Sequence, residues 1–361
     1  MSSPTPTPER TDLHTPLSGV PLTHGQLPKF GPWAVLVLAL LAGVGLWRFA
    51  EWNIAGAAIV AAVGYAVLVY VWARSVEGGR KAKDRLVTAV VTGAFLLALL
   101  PLISVVITVV SKGMARFDTE FFSYSMRGVL GEGGGVYHAI MGTLIITALA
   151  TVISVPVGML TAIYLVEYGK GKLAKAITFF VDVMTGIPSI VAGLFAYALF
   201  ALIFGPGVRM GIMGAIALSV LMIPVVVRST EEMLKLVPNE LREASYALGV
   251  PKWRTILKVV LPTALAGIAT GVTLAIARVI GETAPLLVTV GITTSDNFDP
   301  FDGRMATLPV FSYYQYVAPG TPPGPSLDRA WAAALLLIII VMALNLLARL
   351  ISRLFAPKTR G

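Results

Sequence analysis

The chain has 361 residues, of which 56% are apolar and 13% charged, with mean hydropathy +0.81 and a formal net charge of +9. A soluble domain averages about 25% charged residues, so the deficit excludes an ordinary soluble fold and points to a polytopic membrane protein. There is no cysteine, which removes a disulfide framework, a thiol nucleophile and any cysteine metal site.

Residues 1–31 are rich in Pro, Thr and Ser and hold no apolar run, which reads as a disordered cytoplasmic tail. The apolar sequence starts too late for a signal peptide, and no small-residue cleavage site follows a charged start. A helix needs about 20 apolar residues to cross the hydrocarbon core. Eight stretches qualify: 32–49, 54–73, 86–110, 137–166, 173–204, 211–227, 264–290 and 330–350. The fold class is therefore all-α. The fourth and fifth stretches exceed the need and are expected to tilt or extend past the bilayer. Only residues 50–53 join the first two, which could instead form one re-entrant hairpin.

Lys and Arg orient the spans. Segments 74–85, 170–175, 228–258 and the tail from Arg349 hold five, three, six and four of them. The alternate loops hold Arg48; Lys112, Arg116 and Arg127; Arg209; and Arg304 with Arg329. All the rich segments fall on one side, so both termini are expected in the cytoplasm. The positive charge lies in short loops beside apolar spans, without an aromatic-interleaved patch, which argues against nucleic acid.

The outer loop 111–136 ends in Gly131, Gly133, Gly134 and Gly135. Such a turn can cradle phosphate through backbone amides. No Lys-Ser/Thr follows, and the nucleotide-loop pattern G-x-x-x-x-G-K-[ST] occurs nowhere in the chain. The cluster reads as a flexible entry to the fourth span, and ATP, if it drives the protein, must bind another chain. His14, His24 and His138 are scattered and have no metal-ligand spacing, so neither metal nor cofactor is expected.

An ionisable residue at membrane depth costs at least about 2.5–3.5 kcal/mol, so each needs a reason. Asp182 lies near the cytoplasmic end of the fifth span, ahead of Pro188, which breaks the helix ladder. It reads as a helix–helix or gate contact rather than a substrate ligand. Arg278 and Glu282 share the seventh span at i, i+4 spacing, which would put them on one face and close enough to pair. Arg278 offers a forked donor set that fits a tetrahedral oxyanion. Glu282 could neutralise it in the empty site and accept a hydrogen bond from the proton that phosphate retains near neutral pH. A structural ion pair between helices is the alternative.

Between the sixth and seventh spans lies a polar stretch. Asn239 can cap a helix, with Glu240 in its first turn. Leu241, Ala244 and Leu248 fall on one face, with Glu240, Arg242 and Glu243 elsewhere. Gly249 suits the left-handed end of such a helix, and Pro251 can open the next. In the last outer loop, 293–328, Asp296, Asp299 and Asp302 do not have calcium-loop spacing and read as a solvated turn. Phe311, Tyr313, Tyr314 and Tyr316 would suit the membrane interface or a soluble partner.

Glu243, Ala244, Gly249, Leu261 and Pro262 resemble the EAA loop of the permeases of ATP-binding-cassette (ABC) importers, with Ser245 in place of the second Ala and Val259 in place of an Ile. The runs 186–195, 238–262 and 277–287 narrow the resemblance to phosphate-importer permeases. Gly281-Glu282-Thr283-Ala284-Pro285-Leu286-Leu287 differs from the Gly-Glu-Thr-Met type usual in the sister permease. The resemblance covers roughly residues 86–351, a six-helix type I importer core with its coupling loop at 231–262. It leaves 32–73 as two extra helices without an assigned transport role.

The resemblance implies half of a translocation pathway in a bacterial cell membrane. Its implied partners are a PstC-like permease, a dimer of ABC ATPases (PstB-like) docked on the coupling loop, and an extracytoplasmic phosphate-binding protein (PstS-like). It also implies that Arg278 and Glu282 serve phosphate transport, and that the chain is not itself an enzyme. A permease for molybdate or sulfate is the nearest alternative. A stand-alone secondary transporter or channel would need no docking helix, and would show inverted repeats with two broken helices; no such repeat is evident between the two halves.

Overall fold

The computed structural model describes residues 26–28, 30–50 and 53–355; the tail at 1–31 lies almost wholly outside them. Among the described residues there are fourteen α-helices and no strand. Contacts divide the chain into two units, Met1–Val105 and Val106–Gly361.

The first unit holds α1 (Gly31–Phe49), α2 (Ile54–Val76) and the first part of α3 (Gly79–Gly113). Helices α1 and α2 pack as a hairpin around small residues: a side chain at Gly43 would meet the Ala61 methyl at 2.9 Å. Asn53 caps α2 by accepting from the Gly56 amide at 2.6 Å. Each of the two is long and apolar enough to cross a membrane on its own. Beyond α2, Glu77 accepts from Arg85 Nε at 2.6 Å and from the Leu27 amide at 2.8 Å. None of residues 90–107 in α3 is buried by this chain.

The second unit continues with α4 (Thr119–Ser123), α5 (Tyr137–Ile163), α6 (Gly171–Thr185), α7 (Ser189–Phe204) and α8 (Gly211–Lys235). Then come α9 (Asn239–Ala247), α10 (Lys252–Thr255), α11 (Leu261–Val279), α12 (Ala284–Thr289), α13 (Leu308–Val317) and α14 (Gly324–Phe355). Helix α8 is its centre and packs against α5, α6, α7, α11 and α12. Small residues let these helices approach closely, as membrane packing requires. A methyl at Gly214 of α8 would lie 2.5 Å from Val290 and 2.9 Å from Leu286. The core at this level gathers Ile146, Leu218, Met222, Val226, Val279, Leu286 and Met305.

Two apolar stretches that read as single spans are broken. The fifth splits at residues 186–188 into α6 and α7, which meet at 108°. Their 15 and 16 residues are each too short to cross about 30 Å alone. The seventh starts earlier than its apolar residues suggest and runs through α10, a π turn over Ile256–Val260, and α11. It ends at Val279 rather than Val290, and residues 284–289 form the separate α12. A second π turn, Tyr164–Tyr168, extends α5.

The glycine cluster before α5 is a fixed arch, not a plain flexible entry. Gly131, Gly133 and Gly134 take φ of +87°, +81° and +68°, which glycine alone adopts at little cost. Their carbonyls turn onto arginines: Arg329 donates to Gly131 at 2.8 Å and Gly133 at 2.9 Å, and Arg116 to Gly134 at 2.9 Å. Phe311 is buried in the core with Phe121, Leu308 and Leu336 and does not join Tyr313 and Tyr316 at the surface. The loop holding Asp296, Asp299 and Asp302 is knit by Asn297, whose amide donates to the carbonyls of Asp302 and Arg304. Among the described residues no cluster of His, Asp or Glu could hold a metal.

Candidate coupling helix and membrane-depth charges

Helix α9 forms where the sequence places it, with small differences at its ends. Pro238 precedes its first residue and makes no side-chain cap; Asn239 is that first residue. Likewise Pro251 stands just before α10 rather than inside it. Gly249 takes φ +75°, and its amide donates to Tyr246 O at 2.9 Å, closing the helix end.

The orientation of α9 inverts the usual amphipathic rule. Leu241, Ala244 and Leu248 are exposed, Leu248 to 83%, and Leu236, Tyr246 and Trp253 are exposed beside them. Glu240, Glu243 and Pro262 are exposed as well. The inward face is polar. Ser245 is buried and shares a hydrogen bond of 2.8 Å with Thr255 Oγ1, so the hydroxyl that departs from the EAA pattern has its own partner.

Arg242 bonds Glu167 Oε1 through Nη2 at 2.8 Å and Nε at 3.1 Å, and also reaches the carbonyls of Val237 (2.6 Å) and Leu234 (3.0 Å). The two side chains are 13% and 5% exposed. Removing one partner of such a buried pair costs about 3–5 kcal/mol. Lys252 donates to the Glu167 carbonyl and lies 4.8 Å over the Tyr168 ring. Glu167 went unnoticed in the sequence. It closes an apolar stretch and resembles a loop acid, and only its place on the Arg242 side of the topology hinted at a partner.

Asp182 pairs with Arg228 and so links α6 to α8. Arg228 also bonds Glu231 at 2.8 Å, and Glu231 bonds Lys235 at 2.6 Å. Pro188 lies in the sharp break and immediately precedes α7.

Arg278 and Glu282 do not share a helix face. Arg278 sits in the last turn of α11, and Glu282 lies in the unwound stretch 280–283 before α12. No ion pair within 4.0 Å joins them among the described residues. Gly281 and the unwound residues interrupt the turn that i, i+4 contact requires. Arg278 is exposed by this chain's own packing, and Glu282 is half-buried. Beyond the unwound stretch, α12 packs on α7 and α8, so the segments that follow the two helix breaks meet each other. The contact is tight: a methyl at Gly193 of α7 would lie 2.6 Å from Pro285 Cα. Arg209, which sequence reasoning passed over, ties down the far end of α12 by donating to Leu287 O at 2.8 Å and Val288 O at 2.9 Å.

Residues 154–361 match the model of the family described as binding-protein-dependent transport system inner membrane component. A Mycobacterium tuberculosis protein named phosphate transport system permease protein PstA 1 is 48% identical over 284 residues, 78% of this chain and 92% of its own length. The Pasteurella multocida protein named phosphate transport system permease protein PstA is 41% identical over 274 residues, 75% of this chain and 95% of its own length. Among solved structures, a chain of a bacterial alginate ABC transporter superposes with TM-score 0.54 at 15% identity, covering 76% of this chain and 96% of that one, and so shares the fold. On the identity and coverage of these relatives, the chain belongs to the PstA family of permeases, within the inner membrane components of binding-protein-dependent transport systems.

Proposed function

We propose that this chain is one of two permease subunits of an ATP-driven phosphate importer in the bacterial inner membrane. A PstC-like permease completes the pathway, a PstB-like ATPase dimer drives it, and a PstS-like binding protein delivers phosphate from outside. Both termini then face the cytoplasm, and ATP is hydrolysed by the partner rather than by this chain. One observation carries the reading: α9 anchors itself through polar residues and leaves Leu241, Ala244 and Leu248 bare on the Lys/Arg-rich side. An uncovered apolar face beside exposed Glu240 and Glu243 suits insertion into a cleft of a cytoplasmic subunit. The two helix breaks would also suit a self-contained transporter, so they do not discriminate. The docking helix does, because a self-contained transporter has no use for one.

In this reading the cycle is mechanical. Nucleotide closes the ATPase dimer, the two coupling helices follow, and the pathway opens outward; hydrolysis resets it. Along the pathway Arg278 presents a permanent forked charge to the oxyanion. Glu282, unpaired with Arg278, is left to accept a hydrogen bond from the O–H of hydrogen phosphate. Sulfate brings no such proton and would leave the acceptor unsatisfied, which disfavours it.

The test is uptake of labelled phosphate by the complete complex in proteoliposomes loaded with ATP. Arg278→Gln is expected to lower uptake by about 3 kcal/mol of lost interaction, roughly a hundredfold, in a complex that still assembles. Uptake at the wild-type rate would remove Arg278 from the pathway. A wild-type complex that moved sulfate as readily as phosphate would overturn the substrate assignment.

A further inference from the structure

Helix α9 has nine residues, and its apolar side is uncovered, so little hydrophobic packing holds it to its own chain. Its attachment is polar and concentrated on one side chain. Arg242 spends its guanidinium on Glu167, Leu234 and Val237. Glu167 lies in the π turn that prolongs α5, while Leu234 lies in the last turn of α8 and Val237 just beyond it. One planar cation therefore joins three elements. Lys252 adds a second link from α10 to the same Glu167 backbone.

A rigid fork with fixed acceptors admits one arrangement, whereas an apolar contact of this size could slide. Helices α5 and α8 also pack along each other. A displacement of α9 held in this way reaches both helices at once. The Asp182–Arg228–Glu231 chain extends the connection from α8 to α6.

We propose that Glu167 and Arg242 form a positioning clamp that passes movement of α9 to α5 and α8 as a single body. The inference rests on the reading of α9 as the helix an ATPase grips. The pair touches neither nucleotide nor substrate. Its loss should leave docking and hydrolysis running while transport falls behind, which a mere folding anchor would not do.

Two measurements on the complete complex decide it. The first is phosphate taken up per ATP hydrolysed, in wild type, Glu167→Gln, Arg242→Met and the double variant. Each single change is expected to lower the ratio by about tenfold or more, the scale on which ångström-level misplacement acts, with hydrolysis per assembled complex within about twofold of wild type. The double variant should be no worse than either single one, because both remove the same interaction. An unchanged ratio, or uptake and hydrolysis falling in proportion, overturns the clamp. The second measurement does not depend on the substrate. The chain has no cysteine, so in a complex with cysteine-free partner subunits spin labels can be placed at Leu160 of α5 and Ala247 of α9 alone. Their separation should be the same without nucleotide and with ATP in wild type, and should spread in Glu167→Gln. A separation that changes with nucleotide in wild type sinks the proposal even if phosphate is transported. Absence of phosphate uptake by wild type counts against the importer reading alone, since the label distances still decide the clamp.

Discussion

Glu77 shows how much a single carboxylate can fasten. Its oxygens take Arg85 and the Leu27 amide, so the segment before α1 and the start of α3 are both tied to the end of α2. The Arg85 guanidinium, helped by the Leu27 amide and Lys81, outweighs burial and holds the Glu77 carboxyl at about 2, below its ordinary 4.5. A depressed carboxyl stabilises the folded state above the unfolded value, and that contribution is lost as pH falls from about 4.5 through about 2. The detergent-solubilised protein should therefore lose thermal stability over this window, and Glu77→Gln should be less stable at pH 7 but flatter across it. Equal slopes in the two proteins would show that the pair contributes nothing. At this scale the sequence was informative about kind and weak about partners. Arg278, Glu282 and Asp182 stood out because charge at membrane depth is costly. Which acid meets which base depends on three-dimensional neighbours, so Asp182–Arg228 and Glu167–Arg242, separated by 46 and 75 residues, were out of reach.

Among the helices, the breaks carry the architecture. Pro188 announced the first, since proline removes a ladder donor, but nothing local fixes the 108° between α6 and α7. The second, at 280–283, was hidden because apolar residues continue on both sides of it, and hydropathy does not sense a lost turn. Helix α9 and the turn at Gly249 were legible from capping and glycine chemistry, which act within a few residues. The direction of its apolar face was not, because burial depends on what lies opposite. The contact between α7 and α12 gives a prediction. Gly193→Val would drive a branched side chain into the Pro285 backbone, and overpacking of this kind costs about 1–3 kcal/mol. A lower midpoint of thermal unfolding in detergent is expected. An unaltered midpoint would mean that the two helices part without cost.

For the molecule as a whole, hydropathy settled the class and bounded the spans at seven or eight among the described residues, because a bilayer constrains any chain that crosses it. Seven described helices and one bent pair are consistent with the eight apolar stretches, although two of those stretches are broken. Charge placement makes the Lys/Arg-rich side the expected cytoplasmic one, an orientation that can be measured. Leu248→Cys, in a chain otherwise free of cysteine, should react with an impermeant thiol reagent in everted vesicles stripped of the ATPase and not in intact cells. Labelling in intact cells would reverse the topology and remove α9 from the ATPase side. The two π turns add something that straight helices would lack. One lies at the end of α5 and the other just before α11, on either side of the sequence that carries α9. A π turn encloses one residue more than an α turn, so passing that surplus residue along the ladder screws the adjoining helix by about 100° without severing it. The turn at Ile256–Val260 lies outside the Glu167–Arg242 clamp, so a pull applied at the membrane surface would emerge there as twist of α11 as well as tilt, while α5 keeps its place relative to α9.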